Sequence, residues 1–434
     1  MTILFSLFLL VLLLVLGTPV PFAFLGSALL FILAGGYDPS FLLPYGYSKM
    51  STIVILAIPL FIIAGGLINR AHVGDKLVDM VEIFVGRIRG GLGAIGIISC
   101  AVFGSITGSA CATLSAIGSI MFPKLAAGGY PRGHSAAIMA SSSVLGMLIP
   151  PSSLMILYAW VGQTSVLACF LSNLVPGLIL TFLLCVVNVF MLRNNKEVHV
   201  APPLPKGMFR KEVCKRTWAG VPALTMPILV LGGIYGGFVT PTEAAAVSVL
   251  YVLPLGFLIY KGLTWRGVCE VLKDSVVTTG AIMLMLYCIM ILSRIYIMED
   301  LPGLILDTLT HISESPVVIM LMINLFMLII GMLMDDVSAV LLVTPLLVPV
   351  VGDLGISPVH FAAIVGVNIG MGNITPPTAP LLYLSVQLNE TTVAEAIGPT
   401  LKLICFAWLP TLLLTTYFPG LALWLPRLLL GGTY

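Results

Sequence analysis

Two Pro-Pro dipeptides, Pro150-Pro151 and Pro376-Pro377, are the residues of this sequence whose setting best suits the binding of a cation. Each dipeptide stands in the middle of a long apolar segment. Because proline has no amide N–H and clashes with the preceding turn, two consecutive prolines interrupt a helix and free several carbonyl groups. Sodium, a hard cation, accepts such carbonyl oxygens together with hydroxyl and amide oxygens. The alternative is a proline kink whose carbonyls are satisfied by neighbouring helices and by Ser or Thr side chains.

A pair of adjacent carboxylates, Asp335-Asp336, lies in a further apolar segment. Burial of an ionised aspartate at membrane depth is costly unless a cation or a donor lies beside it, so the pair is a functional candidate. The alternatives are a hairpin tip in water and a cap on a helix N terminus. An intramembrane aspartyl enzyme is not expected, because adjacent helical residues point about 100° apart and cannot form a facing dyad. We therefore predict no enzymatic activity and no organic cofactor.

The composition is that of a membrane protein. Of the 434 residues, 59% are hydrophobic and 9% are charged, whereas about 25% of the residues of a soluble domain are charged. The net charge of +2 is too small and dispersed to indicate a nucleic-acid partner. The eight cysteines show neither a C-x-x-C pair nor a metal-ligand spacing, so we interpret them as small buried hydrophobes.

The apolar segments predict about five membrane crossings on each side of one polar linker. The first runs from residue 3 to 34 and is interrupted at Gly17–Pro21; the others cover 50–69, 93–121, 135–161, 167–192, 219–238, 241–260, 276–298, 317–350, 360–386 and 397–418. No Lys or Arg precedes Lys49, so the first segment is interpreted as a retained span rather than a signal peptide.

The basic linker 193–218 fixes the predicted orientation. Basic residues concentrate in cytoplasmic loops, so the linker is predicted to be cytoplasmic. Because successive spans cross the membrane in opposite directions, the sides of the other loops follow from that of the linker. This places 16 of the 20 Lys and Arg residues on the cytoplasmic side and both chain termini in the periplasm. The predicted location is the bacterial inner membrane, with several crossings of the lipid bilayer.

The two halves repeat at a constant offset of 226 residues. The offset pairs His134 with His360, Gly146 with Gly372 and Pro150-Pro151-Ser152 with Pro376-Pro377-Thr378. With five crossings per half, the second copy enters the bilayer from the opposite side, which gives an inverted repeat. The prediction is an all-α polytopic membrane protein of two inverted repeats, residues 1–192 and 219–434. The predicted scaffold helices occupy 1–92 and 219–316.

Each repeat is also predicted to contain a re-entrant helical hairpin and a broken helix. The segment 104–113 is rich in glycine and small polar residues, which suit a hairpin shielded by protein better than a lipid-facing helix. The predicted hairpins span 93–123 and 317–350, and the broken helices span 134–162 and 360–386. In addition, Thr240-Pro241-Thr242-Glu243 has the spacing of a helix capping box, so Glu243 is predicted to be structural.

The stretch 232–246, which contains this capping box, resembles the signature of large permease subunits of TRAP (tripartite ATP-independent periplasmic) transporters. The hairpins and broken helices are similar to those of the same family in the same order. The resemblance implies a transport domain that moves elevator-fashion within a scaffold, driven by sodium. It also implies two protein partners, a small four-helix membrane subunit and a periplasmic substrate-binding protein. The subunit is not expected to be fused, since no extra spans precede the first repeat.

The resulting hypothesis is sodium-coupled import of a small organic anion, a carboxylate or a sulfonate. Sodium site 1 is predicted at Gly104, Ser105, Ser109, Gly146 and Pro150, and sodium site 2 at Gly331, Asp335, Asn368, Gly372 and Thr375. The candidate substrate-binding residues are Ser142, Ser143, Ser152, Ser153 and Thr378. Of the two carboxylates, Asp335 is favoured because the offset places it opposite Ser109. A carrier of the same architecture that works without a binding protein remains the alternative.

Overall fold

A computed structural model of the chain describes residues 2–85, 90–195, 197–198 and 209–431. The regular elements of these ranges are helices joined by short turns. The α-helices of the first half are α1 (Thr2–Val15), α2 (Val20–Gly35), α3 (Pro39–Met50), α4 (Ala57–Arg70), α5 (Val73–Val85), α6 (Gly91–Thr107), α7 (Ala110–Ala127), α8 (Arg132–Ser143), α9 (Leu145–Leu148), α10 (Ser153–Val161) and α11 (Val166–Leu192). Those of the second half are α12 (Phe209–Tyr235), α13 (Pro241–Pro254), α14 (Trp265–Met298), α15 (Leu301–Ile312), α16 (Pro316–Leu333), α17 (Asp336–Asp353), α18 (Pro358–Gly372), α19 (Pro380–Leu388), α20 (Val393–Leu403), α21 (Leu409–Tyr417) and α22 (Pro419–Leu430).

Three short segments complete these helices. A 3-10 helix, Ile53–Leu56, leads into α4, and π-helical turns at Leu255–Ile259 and Ile404–Trp408 extend α13 and join α20 to α21. Within the described ranges, nine helices are long and apolar enough to cross a membrane. A tenth span results if the pair Arg132–Leu148 and Ser153–Val161, bent by 50°, counts as one. The predicted all-α polytopic membrane fold is confirmed. Residues 196 and 199–208 of the basic linker lie outside the described residues, and α12 begins inside the predicted linker, at Phe209.

The helices of the two halves follow the 226-residue offset. The bounds of α7, 110–127, map onto those of α17, 336–353, and the start of α8 maps onto the start of α18. The contacts between the halves are reciprocal, because α10 packs against α17 while α19, its counterpart, packs against α7. Reciprocal contacts of this kind are what a two-fold axis produces. The opposite membrane orientation of the two copies stays a prediction.

The helices pack as two groups. The first consists of α2, α3, α4, α13 and α14, in which α4 contacts α13 and α14, and α14 contacts α2 and α3. The second contains α6 to α11 and α16 to α22, and it includes both helical hairpins. The predicted capping box is confirmed at the start of α13, where the Thr240 side chain accepts from the Glu243 amide and Glu243 accepts from the Thr240 amide.

Candidate functional site

The tip of the first hairpin is a two-residue turn between α6 and α7. Gly108 has a φ of +64°, a left-handed conformation that favours glycine, and its amide donates to the Gly104 carbonyl at 2.8 Å. Ser109 then caps α7, and its hydroxyl accepts from the Ala112 amide at 3.5 Å. The turn is also crowded, since a Cβ on Gly108 would lie 2.8 Å from the Pro151 carbonyl oxygen.

The first helix break lies directly against this tip. Helix α9 ends at Leu148 and α10 begins at Ser153, so Pro150 and Pro151 lie between them, joined by a cis peptide bond. The side chain of Ser152 caps α10, accepting from the Met155 amide at 3.4 Å. The neighbouring Ser153 hydroxyl donates to the Gly108 carbonyl at 3.1 Å and so joins the break to the hairpin.

The structure brings most of predicted sodium site 1 together. Gly104 and Gly146 touch through their backbones, since a Cβ on Gly104 would lie 2.7 Å from the Gly146 nitrogen. A Cβ on Gly146 would lie 2.9 Å from the Ser109 carbonyl oxygen, so this carbonyl also faces the pair. The Ser105 hydroxyl instead donates to the Val102 carbonyl of its own helix at 2.7 Å. Pro150 lies in the adjoining break, and cation binding by these residues stays a prediction.

The second hairpin repeats this arrangement with a carboxylate as its cap. Asp335 caps α17, where its side chain accepts from the Ser338 amide at 3.3 Å and from the Ser338 hydroxyl. Gly331 of α16 packs against Gly372 of α18, since a Cβ on Gly372 would lie 2.7 Å from the Gly331 Cα. Helix α18 ends at Gly372 and α19 begins at Pro380, so Pro376 and Pro377 lie between these helices and are joined by a cis bond.

Two buried amide oxygens near the second break fit a cation. Asn368 donates from Nδ2 to the Asn324 carbonyl and Oδ1, both at 3.0 Å, yet its own Oδ1 accepts from no described protein group. The Oδ1 of Asn373 is likewise buried without a described partner. A buried acceptor left unsatisfied costs about 1–3 kcal/mol, which a bound cation would relieve. The Thr375 hydroxyl is already used, donating to the Met371 carbonyl at 2.6 Å.

A cavity of about 730 Å³ lies between the two groups of helices. One side is lined by the scaffold helices α4 and α14, which contribute Asn69 and Thr278 among other residues. The other side is lined by the first hairpin tip and the start of α10, including Ser109 and Ser153, and by Asp336 at the second tip. The cavity therefore touches both hairpins and one of the two helix breaks.

Of the five predicted substrate residues, all within the described ranges, Ser153 alone lines this cavity. Ser142 and Ser143 are buried and donate to carbonyls of their own helix, at 2.6 and 2.8 Å. Ser152 caps α10, and the Thr378 hydroxyl donates to the Met332 carbonyl. These four residues therefore do not line the cavity in which a substrate is expected to bind.

Sequence reasoning missed the scaffold side of the cavity. Ser275 and Thr278 both line it, and they stand three residues apart on the long helix α14. That spacing places two hydroxyl side chains on one helix face, a signal the sequence does contain. Asn69, at the end of α4, lines the cavity without any comparable pattern around it.

The charged groups of the cavity are unequally partnered. Arg70 forms an ion pair with Glu270, and His72 Nδ1 lies 3.6 Å from the Asp75 carboxylate. Asp336, at the second hairpin tip, is half-buried. Its carboxylate accepts from the Val337 amide at 3.0 Å, and no basic side chain of the described chain forms an ion pair with it.

The chain matches one family model and several curated relatives over most of its length. The model of the family "Tripartite ATP-independent periplasmic transporter, DctM component" matches residues 7–421. The sialic acid TRAP transporter large permease protein SiaM of Vibrio cholerae is 33% identical over 416 residues, covering 96% of each chain. The C4-dicarboxylate TRAP transporter large permease protein DctM of Pseudomonas aeruginosa is 32% identical over 377 residues, covering 86% of each chain.

Among solved structures, the fold is similar to that of MtrF of Neisseria gonorrhoeae, described as one of a class of antimetabolite efflux pumps. The TM-score is 0.60 at 15% sequence identity, with 88% of this chain and 83% of that chain covered. At this identity the similarity extends to the fold alone.

Proposed function

The chain belongs to the DctM family of tripartite ATP-independent periplasmic (TRAP) transporters, as a large permease subunit, and we propose that it imports a small organic anion in symport with sodium. The relatives named above carry sialic acid and C4-dicarboxylates, both organic acids. The observation that carries the proposal is the cavity between the scaffold helices and the two hairpin tips.

The cavity offers an anion suitable partners without an intramembrane arginine. The first turns of α7 and α10 both line it, through Ser109 and Ala112 and through Ser153 and Leu154. The first amides of a helix have no intrahelical acceptor, and the helix dipole adds partial positive charge there. Broken helices of secondary transporters use such ends to bind anionic substrate groups. A carboxylate or sulfonate is proposed to bind at this pair of helix ends.

Sodium is proposed to bind at the two sites where a hairpin meets a broken helix. At site 1 the Ser109 carbonyl faces Gly146, four residues before Pro150 of the break, and at site 2 the Gly331–Gly372 contact lies one turn from Asn368. Asp335 adds a formal negative charge at the second site. Bound sodium would satisfy the buried amide oxygens and favour the approach of the anion.

An elevator movement of the second helix group against the first is the proposed route across the membrane. The cavity lies at their interface, so sliding one group would move its hairpin tips past α4 and α14. Such sliding would change the ion pairs of Lys124 of α7, which contacts Asp79 and Glu82 of α5 at 3.5 and 3.2 Å in this conformation. Arg70 and His72 line the cavity. The alternation of spans that makes the linker cytoplasmic also predicts a cytoplasmic location for the basic segment 70–89, so this conformation is proposed to be inward-facing.

The proposal includes the two partners that the family implies, a small membrane subunit and a periplasmic binding protein. The binding protein would deliver the anion to the periplasmic side in the bacterial inner membrane. A carrier of the same fold that needs no binding protein is the alternative.

Transport by the reconstituted proteins tests the proposal. Permease, small subunit and binding protein would be assayed in proteoliposomes with radiolabelled sialic acid, C4-dicarboxylates and sulfonates. We expect uptake that requires an inward sodium gradient and stops when potassium replaces sodium. Uptake indifferent to sodium would refute the coupling. Uptake that persists at the same rate without the binding protein would favour the alternative carrier.

A further inference from the structure

The cavity has an anion-binding end built by two helix N termini. Helix α7 begins after the Ser109 cap and α10 begins after the Ser152 cap. The Ser153 hydroxyl donates to the Gly108 carbonyl at 3.1 Å, so the two first turns are adjacent. Because both turns line the cavity, their free amides are available to one anionic group.

Asp336 lines the same cavity and contributes a carboxylate to it. It is not the cap of its helix, because Asp335 has that role and is held by Ser338. Although the N terminus of α17 partly stabilises the Asp336 carboxylate, no basic side chain of the described chain pairs with it. The two basic side chains that line the cavity, Arg70 and His72, are already next to Glu270 and Asp75.

A carboxylate in this position lowers the affinity of the cavity for a substrate that carries only negative charge. Two like charges in one partly dehydrated cavity repel, and such repulsion is a common source of substrate discrimination. A substrate with an ammonium group as well would place its anionic end on α7 and α10 and its cationic end near Asp336. Neither end of such a molecule would then lack an oppositely charged partner.

We propose that Asp336 faces the transported molecule and selects a zwitterionic organic acid, one with an ammonium group besides its carboxylate or sulfonate. This assignment rests on the proposed transport function and narrows its substrate class. Asp336 is the specificity-determining group, and the helix ends at Ser109 and Ser153 bind the acid.

Charge-selective labelling of Cys111 tests whether Asp336 is an unpaired anion in the cavity. The interpretation of the cysteines as buried is wrong for Cys111, which is exposed. This cysteine lines the cavity and interacts electrostatically with Asp336 and, more weakly, with Asp335. In a variant with the other exposed cysteines replaced by serine (Cys214, Cys269 and Cys405), the probes are a trimethylammonium-ethyl and a sulfonato-ethyl methanethiosulfonate. We expect Asp336→Asn to lower the cationic-to-anionic rate ratio about tenfold, equivalent to about 1.4 kcal/mol. Asp335→Asn should lower it less.

Matched ligand pairs test the substrate class. The probes are 2-aminoethanesulfonate against 2-hydroxyethanesulfonate, 3-aminopropanoate against 3-hydroxypropanoate, and glutamate against 2-hydroxyglutarate, each pair differing by one ammonium group. Thermal shifts of the permease with its small subunit, measured in sodium, give apparent affinities. We expect at least one amino member to bind about tenfold more tightly than its hydroxy partner, and Asp336→Asn to abolish that preference. Asp274→Asn, which removes another carboxylate of the cavity, should leave the preference in place.

The inference would be overturned if Asp336→Asn left the labelling ratio of Cys111 unchanged, or if the preference for the amino ligand survived that substitution. It would also be overturned if the two members of every ligand pair gave equal thermal shifts or no shift at all. Sodium-driven uptake of hydroxy acids or dicarboxylates with no amino preference would overturn this inference and leave the proposed function standing. Loss of sodium dependence would instead refute the proposed function.

Discussion

Replacing Gly108 by alanine should destabilise the protein through two separate effects, and the chain contains a control for one of them. A left-handed φ costs a residue with a Cβ about 1–2 kcal/mol, and Gly108 has a φ of +64°. The new Cβ would also lie 2.8 Å from the Pro151 carbonyl oxygen and 3.4 Å from the Ser153 nitrogen. Both neighbours are backbone atoms, and overpacking of this kind costs about 1–3 kcal/mol. The expected total loss is about 2–5 kcal/mol.

Gly355→Ala is the matched control. Gly355 has a φ of +75°, but no heavy atom lies within 4 Å of a Cβ built there. It should lose only the conformational part, about 1–2 kcal/mol. Denaturant titration of both variants in mixed micelles gives the free energies of unfolding. The uptake assay should show a higher sodium requirement for Gly108→Ala alone, because the Pro151 carbonyl must move. Equal losses in the two variants would show that the hairpin tip is not pressed against the break.

The remaining predictions concern topology and sodium. Alkaline phosphatase should be inactive when fused near residue 205 and active at residue 434; the reverse pattern would overturn the orientation. Asp335→Asn should raise the sodium concentration needed for half-maximal uptake with little loss of stability, because asparagine caps a helix as well as aspartate does. Asp336→Asn should change that concentration less, and equal or reversed effects at matched protein levels would show that the 226-residue symmetry selected the wrong carboxylate.

The features that could be predicted from the sequence are those with a local chemical cause. Proline lacks an amide donor wherever it stands in a helix, so the positions of Pro150-Pro151 and Pro376-Pro377 indicate the breaks directly. The capping box at Thr240 likewise depends on residues three positions apart. The offset of 226 residues can be detected by comparing the two halves of the sequence alone, and the bounds of α7 and α17 differ by that number.

The cavity could not be predicted in the same way, because its walls come from helices far apart in the chain. Asn69 and Thr278 come to line one cavity with Ser109 only because α4 and α14 pack against the second group of helices. The predicted substrate residues Ser142 and Ser143 illustrate the difficulty. In an apolar helix a serine hydroxyl can donate to a carbonyl of the preceding turn, as both do here, and the sequence does not distinguish that use from ligand binding.

The two hairpin tips show how a symmetric fold can carry an asymmetric charge. The offset pairs Ser109 with Asp335 and Ala110 with Asp336, and both members of the first pair cap their helices. A neutral cap leaves the positive end of the α7 dipole available to an anion, whereas two carboxylates at the start of α17 give that end a net negative charge. Two substitutions in one copy of the repeat therefore give the two tips opposite electrostatic character. That polarity, with the first turns of α7 and α10 and the Asp336 carboxylate lining one cavity, is the physical basis for expecting the cavity to orient a substrate as well as to hold it.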